Sequence, residues 1–252
     1  MIAHRLLAHL TAAPSDSPAE LLERTRLEVL AHLLALAEGM GGPPAEVVHD
    51  YLLFTTIGAA IDHDRAFFFS LGDGLIVVNG AITRIPPFPG NAPPYMGYSL
   101  IPGYAEHPHS LHGKEALAFQ IHECLPTREL HHFVVGSDGA LDLVAGQGRK
   151  VPGRRDVPGP VSRFWEEDFY SNPRKIERFL RLVNEPATVI DWQGYRRAIE
   201  NGLLPDDTTL VAGRRRQPYC EREAGFSHIS GDGDRPATDL TGQGLKQEVC
   251  DG

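Results

Sequence analysis

Three aspartates, Asp73, Asp138 and Asp206, are the residues whose type and setting could do chemistry, because each stands where an apolar run begins or ends. Asp73 lies between Gly72 and Gly74, with Ala66–Leu71 before it and Leu75–Val78 after it. Ser137-Asp138-Gly139 closes the run Phe133-Val134-Val135-Gly136, and Asp206-Asp207 leads into Thr208-Thr209-Leu210-Val211-Ala212. An apolar strand is buried, and its last residue is delivered to the edge of a core, where glycine lets the backbone turn sharply or approach a ligand. Taken alone, Ser-Asp-Gly reads first as a turn after a strand, and the adjacent acids as a solubilising turn before one. Together, with no histidine or thiolate in any of the three motifs, they make a hard oxygen-donor set suited to Mg²⁺ or Mn²⁺ rather than zinc. Two such ions a few ångströms apart generate a hydroxide nucleophile and stabilise a phosphoryl group in transfer, with no protein nucleophile required. Where Asp206 and Asp207 begin a strand, their side chains point to opposite faces, so only one of them looks into a given site.

Other chemistries find no match. The chain has no Gly-x-Ser-x-Gly elbow and no Gly-x4-Gly-Lys-Ser/Thr loop, and Arg128 follows Cys124 too early for a Cys-x5-Arg phosphate loop. His107, His109 and His112 fit no structural zinc spacing and read as a solvated loop. His122-Glu123-Cys124 lacks the second histidine of a zincin helix. Arg149, Lys150, Arg154 and Arg155 lie among glycines and prolines in Gly146–Pro160, a loop that steers a phosphorylated substrate or, the favoured reading, is merely solvated. A net charge of −9 argues against a nucleic-acid partner. Without an apolar run of about 18 residues or a signal peptide, the expectation is a cytoplasmic protein with no membrane partner. Cys124, Cys220 and Cys250 are odd in number and far apart, as reduced thiols are.

The elements that must position these acids are legible in outline. Met1–Leu10 has helical apolar spacing, and Ser17-Pro18-Ala19-Glu20 is a capping-box start for a helix to about Glu38, stopped at Gly39–Pro44. The pattern then turns strand-like over Tyr51–Ala60 and Ala66–Leu71, and Leu75–Val78 joins Ala81–Ile85 through Asn79-Gly80, which together predict one antiparallel meander. Pro86–Gly113 is an irregular excursion, Ala116–His122 a further strand, and Phe164–Tyr170 a short helix or flap. Asn172-Pro173 starts a helix to about Val183 with Ile176, Phe179, Leu180 and Val183 on one face, and Trp192–Gly202 also reads as helical. Residues 1–216 are expected to form one domain, and the polar 217–252 segment a disordered tail.

The order of these motifs resembles the metal-dependent serine/threonine protein phosphatases of the 2C type, over roughly Met1–Arg216. The resemblance rests on Gly72-Asp73-Gly74, on Val135-Gly136-Ser137-Asp138-Gly139-Ala140-Leu141-Asp142 and on Asp206-Asp207-Thr208-Thr209-Leu210-Val211. It implies an α+β fold, a four-layer αββα sandwich of antiparallel sheets flanked by helices. It also implies a hydrolase that cleaves phosphomonoesters by a metal-activated water. Asp138 and Asp206 would ligate the metal pair, and Asp73 with Asp138 a weaker third ion, with no catalytic residue beyond the ligands and Mn²⁺ or Mg²⁺ as cofactor. Asp207 takes a place where the family often has asparagine. The implied partners are a phosphorylated protein and a cognate kinase, for a monomeric chain. The family's first strand, which ends in the Asp-Gly that bridges two metals, and its upstream phosphate-binding arginine are not visible before Met1–Leu10. Either the recorded chain starts late or this is a short relative lacking the activity; apolar edges left exposed by a lost strand favour the former. The alternative function is a phosphatase-like module that binds a phosphorylated partner or regulates a kinase.

Overall fold

Helix formation at the start follows local rules. α1 (Ile2–Ala12) buries Leu6 and Leu10. α2 (Pro18–Met40) begins in a complete capping box, with Ser17 Oγ accepting from the Glu20 N–H at 3.3 Å and Glu20 Oε2 accepting from the Ser17 N–H at 2.8 Å. Its buried face is Leu22, Thr25, Val29, Leu33 and Ala37, the three-and-four spacing of an amphipathic helix. The computed structural model describes residues 1–107, 110–172, 174–204 and 206–215. Met1–Arg216 is one compact unit, and the tail expected at 217–252, like His109, Cys220 and Cys250, lies outside the described residues.

A third helix, α3 (Pro44–Tyr51), occupies what reads as a link. Proline at its first turn and Glu46 beside the helix N-terminus are start signals. The strand expected from Tyr51 is accordingly shorter: β1 is Thr56–Ile61. β2 (Arg65–Leu71), β3 (Gly74–Val78) and β4 (Ala81–Ile85) follow, and Asn79 and Gly80 both take positive φ, 50° and 89°, in the β3–β4 turn. β5 is Gln120–Pro126 rather than Ala116–His122, since Lys114–Leu117 coils into a 3-10 turn. β6 (His132–Gly136) leads into α4 (Gly139–Gly146). A 3-10 turn at Val161–Trp165, α5 (Glu167–Tyr170) and α6 (Arg174–Asn184) come next.

The helix expected at Trp192–Gly202 is instead a hairpin of β7 (Ala187–Asp191) and β8 (Arg196–Glu200). β-Branched Thr188, Val189 and Ile190 favour the extended chain, and Tyr195 at φ 51° turns it back. β9 (Leu210–Arg214) is the last strand of the described residues.

Among the described residues all pairings are antiparallel, in a sheet ordered β1-β2-β5, a sheet ordered β4-β3-β6-β9 and the separate β7–β8 hairpin. The single meander expected over β1–β4 is therefore two hairpins in different sheets, and the chain changes sheet at Gly72-Asp73. Alternation along the strands shows how the sheets stack. Phe67 and Phe69 pack with Leu6, Leu10, Leu21 and Leu22 of the helices, whereas Phe68 between them packs with Ile76, Val78 and Val135 of the second sheet. On β3, Leu75 and Val77 face the other way, into a core with Leu143, Val144, Phe164 and Val183. Helices thus cover the outer face of each sheet, and the face expected on α6 lies against this last core. β1 is an edge strand, and an apolar groove of about 390 Å³ runs between it and α1. Among the described residues no helix is long and apolar enough to cross a membrane.

Candidate metal centre

Strand register gathers the three acids. Leu75 of β3 pairs with Gly136 of β6, and Gly136 pairs with Leu210 of β9, so the start of β3, the end of β6 and the start of β9 share one sheet edge. Asp73 precedes that edge on the first strand, Asp138 follows it on the second and Asp206 precedes it on the third. Close backbone contacts bind these segments together. Gly74 sits at φ 146°, and a Cβ there would lie 2.5 Å from the Gly136 carbonyl oxygen. A Cβ on Gly139 would meet Thr208 Oγ1 and come within 2.9 Å of the Asp207 carbonyl. Ser137 ties the last two segments: its N–H donates to Thr209 O at 3.0 Å, and its Oγ accepts from the Thr209 N–H at 3.1 Å and donates to Asp207 O at 3.2 Å. Buried Leu203 and Leu204, with the Leu203 N–H bonded to Val183 O at 2.8 Å, anchor the approach to Asp206.

The carboxylates differ in environment. Asp73 is buried, 7% exposed, and that burial pushes its pKa above the usual carboxylate value. The charges of Asp138 and Asp206 push the same way, while a bond from its own backbone N–H opposes them. Asp138 is half-buried at the N-cap of α4 and accepts from the Gly139 N–H at 2.9 Å. Asp206 and Asp207 are exposed, and Asp206 Oδ1 accepts from the Asp207 N–H at 2.7 Å. Because β9 starts only at Leu210, these two acids lie in a loop and not in a strand, so the alternation expected of them does not apply.

Two neighbours were not singled out by the sequence. Asp142, one turn after Asp138 in α4, has its pKa raised by burial and then by the charges of Asp138 and Asp206, with Arg149 opposing. The Asp138-x3-Asp142 spacing signals it once a helix is known to begin at Gly139. Tyr95 has its phenol pKa raised by burial and by the charges of Asp73 and Asp138. No local pattern marks Tyr95. Its place follows from packing of the adjoining 3-10 turn, Met96–Leu100, where Met96 is fully buried beside α2 and α3 and a Cβ on Gly97 would come within 2.6 Å of Leu52 O.

Donor chemistry at this edge fits a hard divalent cation, since the acids offer only oxygen donors, and burial and then the charges of Asp138 and Asp206 raise the pKa values of Asp73 and Asp142. Among the described residues, no three histidine, cysteine or acidic side chains converge tightly enough to hold one ion. The histidine loop is not simply solvated: His112 is buried, its Nε2 lies 2.7 Å from Ala92 O, and its ring packs edge-on against Phe88. Of the basic loop, Arg154 pairs with Glu185 at 3.4 Å, whereas Arg149 acts on Asp142. Cys124 is a free, exposed thiol. No protein-family model matches the chain, and no curated protein resembles it at a significant level.

Proposed function

We propose that this chain is a Mg²⁺- or Mn²⁺-dependent phosphoprotein phosphatase of the 2C-like type, with Asp73, Asp138 and Asp206 as metal ligands and Asp142 as a fourth carboxylate. The observation that carries this reading is the meeting of Asp73, Asp138 and Asp206 at one edge of the β3-β6-β9 sheet, imposed by register. Helices outside two stacked antiparallel sheets make the αββα order that the resemblance implies, which supports it further. When bound there, a divalent pair supplies an acidified water and neutralises charge on the phosphoryl group. The protein's part is to hold the carboxylates on a rigid edge, Asp73 in the core and Asp206 toward solvent, and to present Arg149 beside them as a cation for the substrate's phosphate. A phosphorylated protein is the substrate in this reading, and a cognate kinase its partner.

Hydrolysis of an aryl phosphate by the full chain, with Mn²⁺ and with chelator, tests it. Mn²⁺-dependent turnover is expected to fall at least about 100-fold in Asp138→Asn and in Asp206→Asn, because ligand loss removes part of the several kcal/mol that the ions supply. Turnover indifferent to both substitutions removes the assignment. A second reading, a phosphatase-like module that binds a phosphorylated partner or regulates a kinase, is favoured by the local N–H bonds that each occupy one carboxylate oxygen of Asp138 and Asp206. Tight calorimetric binding of a phosphopeptide without turnover would select it.

A further inference from the structure

His122 stands where β5 has one residue too many for β2. Phe68 pairs with Glu123 and Phe69 with Ile121, so the register skips His122. Such a bulge re-aims the extra side chain, and here the imidazole Nε2 comes within 2.9 Å of Ser70 Oγ. Ser70 is 2% exposed, and its hydroxyl also lies 3.2 Å from the Gly72 carbonyl oxygen. A hydroxyl has a single proton, and a carbonyl only accepts. Both contacts are therefore made in one arrangement: Nε2–H donates to Ser70, and Ser70 donates to Gly72. Burial lowers the pKa of His122, which favours the neutral ring.

The Gly72 carbonyl and the Asp73 N–H are opposite ends of one planar peptide. That N–H adjoins the Cα that carries the Asp73 carboxylate, and it opposes the rise of that carboxylate's pKa. Gly72 has φ 114°, in a region open to glycine but not to most side chains, so this peptide adjoins a residue with no Cβ to restrict it. A bond to its carbonyl selects one orientation.

We propose that His122, acting through Ser70, is a positioning residue for Asp73, holding the Gly72–Asp73 peptide so that the carboxylate faces Asp138 and Asp206. The consequence for metal binding rests on the reading given under Proposed function; the relay itself does not. Amide hydrogen exchange on the metal-free full chain, followed by Mn²⁺ calorimetry, tests it. His122→Ala and Ser70→Ala are expected to speed exchange of the Asp73 amide on the order of 10-fold, the worth of one hydrogen bond, and to leave Val134 in the neighbouring sheet within about twofold. Mn²⁺ affinity should weaken about 10–100-fold in the same variants. His122→Gln, which keeps a donor, should restore both.

Unchanged Asp73 exchange in the alanine variants overturns the relay, and so does a uniform rise that includes Val134 or a His122→Gln chain that behaves as His122→Ala does. A parent chain that binds no Mn²⁺ while Asp73 still responds leaves the relay standing and removes the metal reading. The ¹⁵N shifts of His122 in the unmodified chain need no variant to fold: the proton is expected on Nε2, and finding it on Nδ1 overturns the proposal.

Discussion

Asp73 is placed where its own ionisation works against the fold. Burial and the charges of Asp138 and Asp206 raise its pKa in the folded chain above the unfolded value of about 3.9, so the folded state holds the proton more tightly. Between the two pKa values the folded chain binds more protons than the unfolded one. Stability therefore falls as pH rises through that window. Asp73→Asn removes the charge and keeps the shape. In chelator at pH 7.5 this variant is expected to melt above the parent, with the gain shrinking as pH falls toward the ordinary carboxylate range. A melting temperature equal to or below the parent's would show that Asp73 is not held against its charge. At this scale the sequence was legible where chemistry and local context coincided, since an acid flanked by glycine at a strand end marks Asp73 and Asp138 directly. Asp142 required knowing that a helix starts at Gly139, and Tyr95 reaches the acids through packing of a proline-rich excursion that no periodicity describes.

At the scale of elements, the β6–α4 junction fixes the centre, and its glycines matter for the space they leave. Gly139→Ala puts a methyl group against Thr208 and the Asp207 carbonyl, backbone and side chain that cannot both withdraw without moving Asp206. Overpacking of this kind costs about 1–3 kcal/mol. Gly146→Ala, in the same helix with open space around it, is expected to be neutral or to stabilise by up to about 1 kcal/mol. Urea unfolding of the two variants checks the contrast: a lower midpoint for the first with an unchanged or higher one for the second, while equal effects would mean that the 206–209 segment does not pack on α4. Elements with local instructions were readable, such as the Ser17 capping box and the Asn79-Gly80 turn. α3 was not, because its proline start abuts the glycines that end α2. Neither was the change of sheet between β2 and β3, because Ala66–Phe69 and Leu75–Val78 are unbroken apolar runs and alternation cannot show which face meets which layer. The β7–β8 hairpin is not legible because Arg196, Arg197 and Glu200 around Ala198 and Ile199 fit a helical face as well as a strand.

For the whole molecule, the core and the acidic edge pull in opposite directions. Phe68, Ile76 and Val135 join the sheets in a core where truncating a phenylalanine costs about 3–5 kcal/mol, and that rigidity holds four carboxylates together in a chain already at net charge −9. A cation bound only by the folded state relieves the repulsion and adds its binding free energy to stability. On the proposed reading, Mn²⁺ at 100 times its Kd stabilises the chain by about 2.7 kcal/mol, a rise of roughly 5–10 °C in melting temperature. Asp73→Asn should then show two opposite effects in one experiment. Its metal-free form melts higher than the parent, yet Mn²⁺ raises its melting temperature by less, because the charge that destabilises the empty site is the charge that binds the ion. Scanning calorimetry of both chains with chelator and across a Mn²⁺ titration measures each effect separately. A parent chain whose melting temperature does not move with Mn²⁺ into the millimolar range would detach the acidic edge from metal binding, whereas a rise equal in both chains would place the ion away from Asp73.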